Sequence, residues 1–152
     1  MQLGALPFRT EPDGLQVLLA TSRETKRWVI PKGWPMKKRL PHEAAAREAF
    51  EEAGLVGIVD EHAIGSYEYD KRLNDGATVL CRVDVYPMRV TGQRRRWPEY
   101  KQRETRWFAP AEAASCVHEA ELARLIEGLD ALLRWRAEAQ AAGPDAPPSA
   151  SA

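Results

Sequence analysis

Gly33 to Leu55 reads GWPMKKRLPHEAAAREAFEEAGL. The front of this stretch holds Gly33, Pro35 and Pro41 with no consistent apolar period, so residues 32–41 are read as a loop. From Pro41 or His42 to about Ala53 a helix is expected. Pro41 suits its first turn, and Gly54 suits a left-handed cap just past its end. Ala45, Ala46, Ala49, Phe50 and Ala53 form an apolar side of mostly small residues, fit for close packing on a sheet. The same helix crowds Glu48, Glu51 and Glu52 into five positions. Glu48 and Glu52 are four apart and stand one above the other, with Glu51 beside them. Like charges at that spacing cost an isolated helix roughly 0.2–0.5 kcal/mol per pair. The simplest use for such a cluster is to hold a hard divalent cation through oxygen ligands.

Upstream, Leu3 to Arg9 and Leu15 to Thr21 read as strands around the turn Pro12-Asp13-Gly14. Trp28-Val29-Ile30 is a short strand stopped by Pro31. Downstream, two extended stretches, Ile58 to Lys71 and Ala77 to Val90, flank Asn74-Asp75-Gly76, a strong hairpin signal. Thr91 to Arg103 is polar and basic and is read as a loop. Thr105 to Phe108 is a last strand. Pro110 to Cys116 and His118 to Ala139 are expected helices, the second carrying Leu122, Leu125, Ile126, Leu129, Leu132 and Leu133 at helical spacing. This order predicts an α+β fold: a mixed β-sheet flanked by helices on both faces, an α/β/α sandwich. Residues 1–140 are expected to form one domain. Residues 141–152, rich in Ala, Pro and Ser, read as a mobile tail.

The 152 residues suffice for one sizeable core, and 22 basic residues balance 22 acidic ones. That balance points to no bulk attraction to nucleic acid or membrane. No apolar run approaches a membrane span, and no signal peptide is evident. Cys81 and Cys116 lack metal spacing and are expected to be reduced, in a cytoplasmic protein.

Gly33, Arg47, Glu48, Glu51, Glu52 and Gly54, with Ala49 and Leu55 in the apolar places, resemble the signature of the Nudix hydrolases. That signature runs Gly, five residues, Glu, seven residues, then Arg-Glu-apolar-x-Glu-Glu-x-Gly-apolar. One position departs from it: Arg39 stands where the first Glu belongs. That Glu mainly supports the loop and helix in the family, and Glu43 could replace it by an i,i+4 ion pair with Arg47. A solvated Glu-rich helix face would leave Gly33 and the loop spacing unexplained.

The resemblance implies the Nudix fold and hydrolysis of a phosphoanhydride with Mg²⁺ or Mn²⁺. It implies Glu48, Glu52 and the backbone carbonyl of Lys32 as metal ligands. Glu51 would be a further ligand or help deprotonate water, and Arg47 would hold the carboxylates by ion pairs. Family members often carry another Glu outside this stretch as base or ligand. Glu99, Glu104 and Glu112 are candidates, and Glu99 is preferred because it lies in the basic loop near Trp97.

Arg89 to Arg106 holds seven basic residues. Lys32, Lys37, Lys38 and Arg39 fill the loop before the helix. If these segments converge, the metal site gains a positive rim suited to a substrate with many phosphates. Trp28-Val29-Ile30-Pro31-Lys32-Gly33 and Arg103-Glu104-Thr105-Arg106-Trp107-Phe108 resemble the diphosphoinositol polyphosphate and diadenosine polyphosphate hydrolase branch. That resemblance makes Arg23, Lys32 and Arg103 phosphate contacts, with Arg39 a further substrate-binding candidate in the same rim. Trp34, Trp97 and Tyr100 could stack on a base. His42, His62 and His118 have no partner pattern. The expected partner is a small polyphosphate or nucleotide. Nucleotide-pool or ADP-ribose cleavage, removal of pyrophosphate from RNA 5′ ends, and a non-catalytic nucleotide sensor remain alternatives. The oligomeric state stays open.

Overall fold

A computed structural model describes residues 1–142. Its centre is one mixed sheet. Strand β1 (Gln2–Glu11) turns through Pro12 and Asp13 into antiparallel β2 (Gly14–Thr21). On its other edge β1 runs parallel to β7 (Thr78–Gln93). Strands β3 (Trp28–Val29) and β8 (Thr105–Phe108) both pair with β2.

The period of two along each strand sends side chains to two cores. Leu6 and Phe8 of β1, Val17 and Leu19 of β2, and Val83 and Val85 of β7 face one side. There they meet α2 (Pro110–Cys116) and α3 (Ala120–Ala142), whose Leu122, Ile126 and Leu129 are fully buried. Leu3, Ala5, Leu18, Tyr86 and Met88 face the other side and pack on α1 (Pro41–Ala53). The expected α/β/α sandwich is therefore present. Cys81 is buried and Cys116 half-buried, and both are free thiols. No helix among the described residues is long and apolar enough to cross a membrane.

Four differences from the sequence reading have physical causes. Lys32–Gly33 is not loop but a short strand, β4, paired with Leu3 and Gly4 of β1. The stretch read as one strand from Ile58 divides into β5 (Leu55–Val59) and β6 (Gly65–Arg72), which pair with successive parts of one edge of β7. Pro87 sits between those parts and has no N–H to offer that edge; its carbonyl accepts from Asp60 N at 2.9 Å. Arg136 of α3 closes the break, its Nη1 donating to Asp60 Oδ2 at 2.6 Å. Strand β7 reaches Gln93 because its end pairs with β5. Finally, α3 runs through Ala142. The remainder of the expected tail, residues 143–152, lies outside the described residues.

Candidate metal and phosphate site

Helix α1 buries Ala44, Ala45, Ala49 and Ala53, while Phe50 is only half-buried. Glu52 falls in the same stripe as these alanines, one turn beyond Ala49, so its carboxylate goes under the surface at 4 % exposure. Glu51, one position earlier, faces outward and pairs with Arg47 at 2.9 Å. Glu48 lies one turn before Glu52 with its carboxylate against Gly33. A Cβ on Gly33 would come within 2.2 Å of Glu48 Oε2, so any larger residue there would push the Glu48 carboxylate out of its place. The two ends of the quoted stretch thus meet: β4 brings Gly33 under Glu48, and Lys32 N donates to Glu52 Oε2 at 3.3 Å.

Residues 93–99 wrap the end of α1. Helix C-termini leave carbonyls without partners. Here four consecutive ones are taken: Glu51 by Glu99 N at 3.0 Å, Glu52 by Trp97 Nε1 at 3.1 Å, Ala53 by Gln93 Nε2 at 2.9 Å and Gly54 by Arg94 N at 2.9 Å. Gly54 has a left-handed φ of 70°, and a Cβ there would lie 2.4 Å from the Trp97 ring. This docking brings Glu99 and Arg103 to Glu52. Arg103 Nε donates to Glu99 Oε1 at 2.8 Å, Nη1 to the Thr21 carbonyl at 3.1 Å, and Nη2 lies 3.5 Å from Glu52 Oε1. Arg23 Nε approaches Glu99 at 3.9 Å.

Charge is concentrated here. Burial pushes the Glu52 carboxyl up to about 8, against the pull of Arg103 and Lys32 and with the push of Glu48 and Glu99. Burial also raises Glu48, partly offset by its hydrogen bond with Glu52. Burial lowers the Lys32 ammonium, while Glu52 and Glu119 act to raise it. The ammonium lies over the Tyr69 ring, 4.8 Å from its centroid.

These residues border one cleft of about 940 Å³. Arg23, Lys32, Glu48, Glu52, Glu99 and Arg103, all singled out from the sequence, line it. Glu51 and Arg47 do not; they pair beside it, so the side-chain carboxylates of α1 at the cleft number two, not three. Among the described residues, no group of three acidic, thiol or imidazole side chains forms a ready-made cage. Arg39 is exposed on the loop and outside the lining. Glu43 does not pair with Arg47; its Oε1 accepts from Leu40 N at 2.7 Å and caps the helix start. Glu104 and Glu112 are exposed and outside the cleft. Trp97 packs on Gly54 with Tyr100 edge-on at 6.0 Å, and neither lines the cleft. Trp34, 48 % exposed, does line it.

The positive rim is also corrected. Arg89, Arg94, Arg95, Arg96, Lys101 and Arg106 lie outside the lining, as do Lys37 and Lys38. Six basic side chains face eight acidic ones around the cleft. A polyanion meets excess negative charge there until cations are added. Tyr69, Lys71 and Glu119 on the opposite wall carried no sequence signal, because only the pairing of β6 with β7 and the start of α3 bring them across.

The sequence matches the NUDIX domain over residues 2–134. It is 32 % identical to "Nudix hydrolase 16, mitochondrial" of Arabidopsis thaliana over 154 residues, covering 92 % of this chain and 83 % of that protein. It is 31 % identical to "Diphosphoinositol polyphosphate phosphohydrolase 3-beta" of Bos taurus over 110 residues, covering 71 % of this chain and 63 % of that protein. Among solved structures, a C. elegans Ap4A hydrolase binary complex superposes with a TM-score of 0.67 at 20 % identity, covering 88 % of this chain and 96 % of that one. The NUDIX domain of Shewanella oneidensis NrtR, in complex with ADP ribose, gives 0.64 at 16 % identity, covering 87 % and 86 %.

Proposed function

The chain belongs to the NUDIX family, hydrolases of phosphorus-containing anhydrides, and from that premise we propose that its substrate is a highly phosphorylated small molecule. Dinucleoside polyphosphates and diphosphoinositol polyphosphates are the two classes intended, cut by water attack on phosphorus. The observation that carries the reading is the pairing of Glu48 and Glu52 over Gly33, inside a cleft also lined by Arg23, Lys32 and Arg103.

The donor set fits Mg²⁺ or Mn²⁺: two adjacent carboxylates, the nearby Lys32 backbone, and too little positive charge for a phosphate chain. Glu48, Glu52 and the Lys32 carbonyl would hold the ion. When bound, it would neutralise phosphate charge and lower the pKa of water. Arg23 and Lys32 bind phosphate oxygens along the cleft. Glu99, beside the carboxylate pair, takes the proton of the attacking water. Arg47 and Glu51 brace the helix through their ion pair rather than touching substrate.

Trp34 favours the dinucleotide class within this reading, since an exposed indole at the rim offers a face to a base. A panel of dinucleoside polyphosphates, inositol pyrophosphates, ADP-ribose and nucleoside triphosphates, each with Mg²⁺ and Mn²⁺, tests it. One of the first two classes should be turned over at least about tenfold more efficiently than the others. Equal or better turnover of ADP-ribose or nucleoside triphosphates would defeat the proposal.

A further inference from the structure

Arg103 is the most enclosed arginine in an ion pair at the cleft, with its side chain 11 % exposed. Its three anchors differ. The bonds to Glu99 at 2.8 Å and to the Thr21 carbonyl at 3.1 Å are short. The approach to Glu52 Oε1 at 3.5 Å is the loosest, and it is made to a carboxylate that would hold the metal. Three carboxylates, Glu48, Glu52 and Glu99, crowd together here: Glu48 and Glu99 both push the Glu52 carboxyl up, and Glu99 pushes up Glu48 as well. Acidic side chains outnumber basic ones around the whole cleft. A guanidinium within 4 Å of two of the three carboxylates relieves that repulsion.

We propose that Arg103 is a resident substitute for the divalent ion. It holds Glu52 and Glu99 together when no ion is bound, and it competes with the ion for Glu52, so it weakens metal binding rather than supporting it. The inference rests on the reading of Glu48 and Glu52 as metal ligands. When the ion binds, the Nη2 approach to Glu52 is surrendered, while the bonds to Glu99 and Thr21 keep the guanidinium in place. Arg103 is then a positioning residue whose charge sets how readily the ion exchanges.

The test titrates the full chain with Mn²⁺ alone at pH 8.5 by calorimetry, in the wild type and in Arg103→Met, Arg103→Gln and Arg103→Lys. Removing a nearby like charge should tighten Mn²⁺ binding roughly 3- to 10-fold in the two neutral variants. Arg103→Lys, which keeps the charge, should stay within about twofold of the wild type. Arg103→Gln keeps a donor for the Thr21 carbonyl and covers the case in which Arg103→Met does not fold. Thermal unfolding gives a second readout: without metal the neutral variants should melt lower, and saturating Mn²⁺ should raise their Tm more than it raises the wild type's. Unchanged or weaker Mn²⁺ binding in the neutral variants overturns the proposal while leaving the metal site standing. A wild type that binds no Mn²⁺ overturns both.

Discussion

The two walls of the cleft are built in opposite ways. On one side, α1 and residues 93–103 are locked together: four helix carbonyls, Gly54 against Trp97, and Arg103 across Glu52, Glu99 and Thr21. On the other, the β6–β7 hairpin stands in solvent, with residues 72–80 all exposed and Leu80 at 64 %. Groups that act on a reacting phosphorus must be held to a fraction of an ångström, and a hydrogen-bonded wall does this. A wall that only meets the rest of the substrate can be loose, and loose walls accommodate different substrates. Substitutions in the first wall should therefore change rate, and those that break its docking should change stability with it, while those in the second change substrate binding alone.

The largest effect belongs to Glu52→Gln. Turnover with saturating metal should fall by on the order of 10³, the scale expected when a key electrostatic contact to the reacting centre is lost. The fold should hold, because the amide fills the same space and ends the repulsion by Glu48 and Glu99. Steady-state kinetics beside a thermal melt decides it. Loss of activity within a few fold would mean that the locked wall does not carry the chemistry. Glu51→Gln, one residue away but outside the cleft, should cost only a few fold and serves as the internal contrast.

Next comes Gly54→Ala. The φ of 70° and the 2.4 Å approach of Trp97 both oppose a Cβ, and together they should cost about 2–3 kcal/mol in chemical denaturation. Activity should fall too, since a displaced Trp97 shifts Glu99. A stable but inactive variant would separate the two roles; a fully active one would show that the docking of 93–99 is dispensable.

Stability against pH probes the same wall more gently. The Glu52 carboxyl is raised in the fold to about 8, above its ordinary value near 4.5. The folded state therefore retains a proton that the unfolded chain gives up. Stability without added metal is fullest below about pH 4.5 as regards this group and is lost as pH rises towards 8, with a slope of at most about 1.4 kcal/mol per pH unit. Urea titrations between pH 5 and 8 should show the decline, and Glu52→Gln should flatten it. Saturating Mn²⁺ should flatten it as well, because the ion takes the place of the proton.

The same asymmetry explains what was legible in the sequence. The locked wall's candidate residues are local: Gly33 and residues 47–54 lie within a short strand, one loop and one helix, so fixed spacing exposes them. Burial of Glu52, with Glu51 left half-buried beside it, follows from the alanine stripe once Ala44 replaces Phe50 on the buried side. Glu99 stands out by its basic neighbours and Arg103 by the resemblance of residues 103–108, but the anchoring of neither is visible in the sequence. Trp97 looked equally suited to stacking, because nothing in one dimension shows that its indole N–H meets a carbonyl 45 residues earlier. The rim was over-read for the same reason: a run of arginines says that a segment is basic, and says nothing of which way it faces. Pro87 alone could have warned that the second extended stretch meets a broken partner strand. The opposite wall left no local trace, since Tyr69, Lys71 and Glu119 meet only through strand pairing and the start of α3.

That wall supplies the smallest predicted effect. Lys71 lines the cleft and lies near the Trp34 ring, its Nζ 5.9 Å from the centroid. It makes no ion pair among the described residues. Lys71→Ala should leave stability within about 0.5 kcal/mol, as for other surface positions away from caps and networks. It should raise KM for a polyphosphate by roughly 3- to 10-fold, the scale of one partly exposed charge contact, and leave kcat within about twofold. A fall in kcat equal to the fall in kcat/KM would place Lys71 at the transition state. The hairpin wall would then need the same rigidity as the helix wall, although residues 72–80 have nothing buried to provide it.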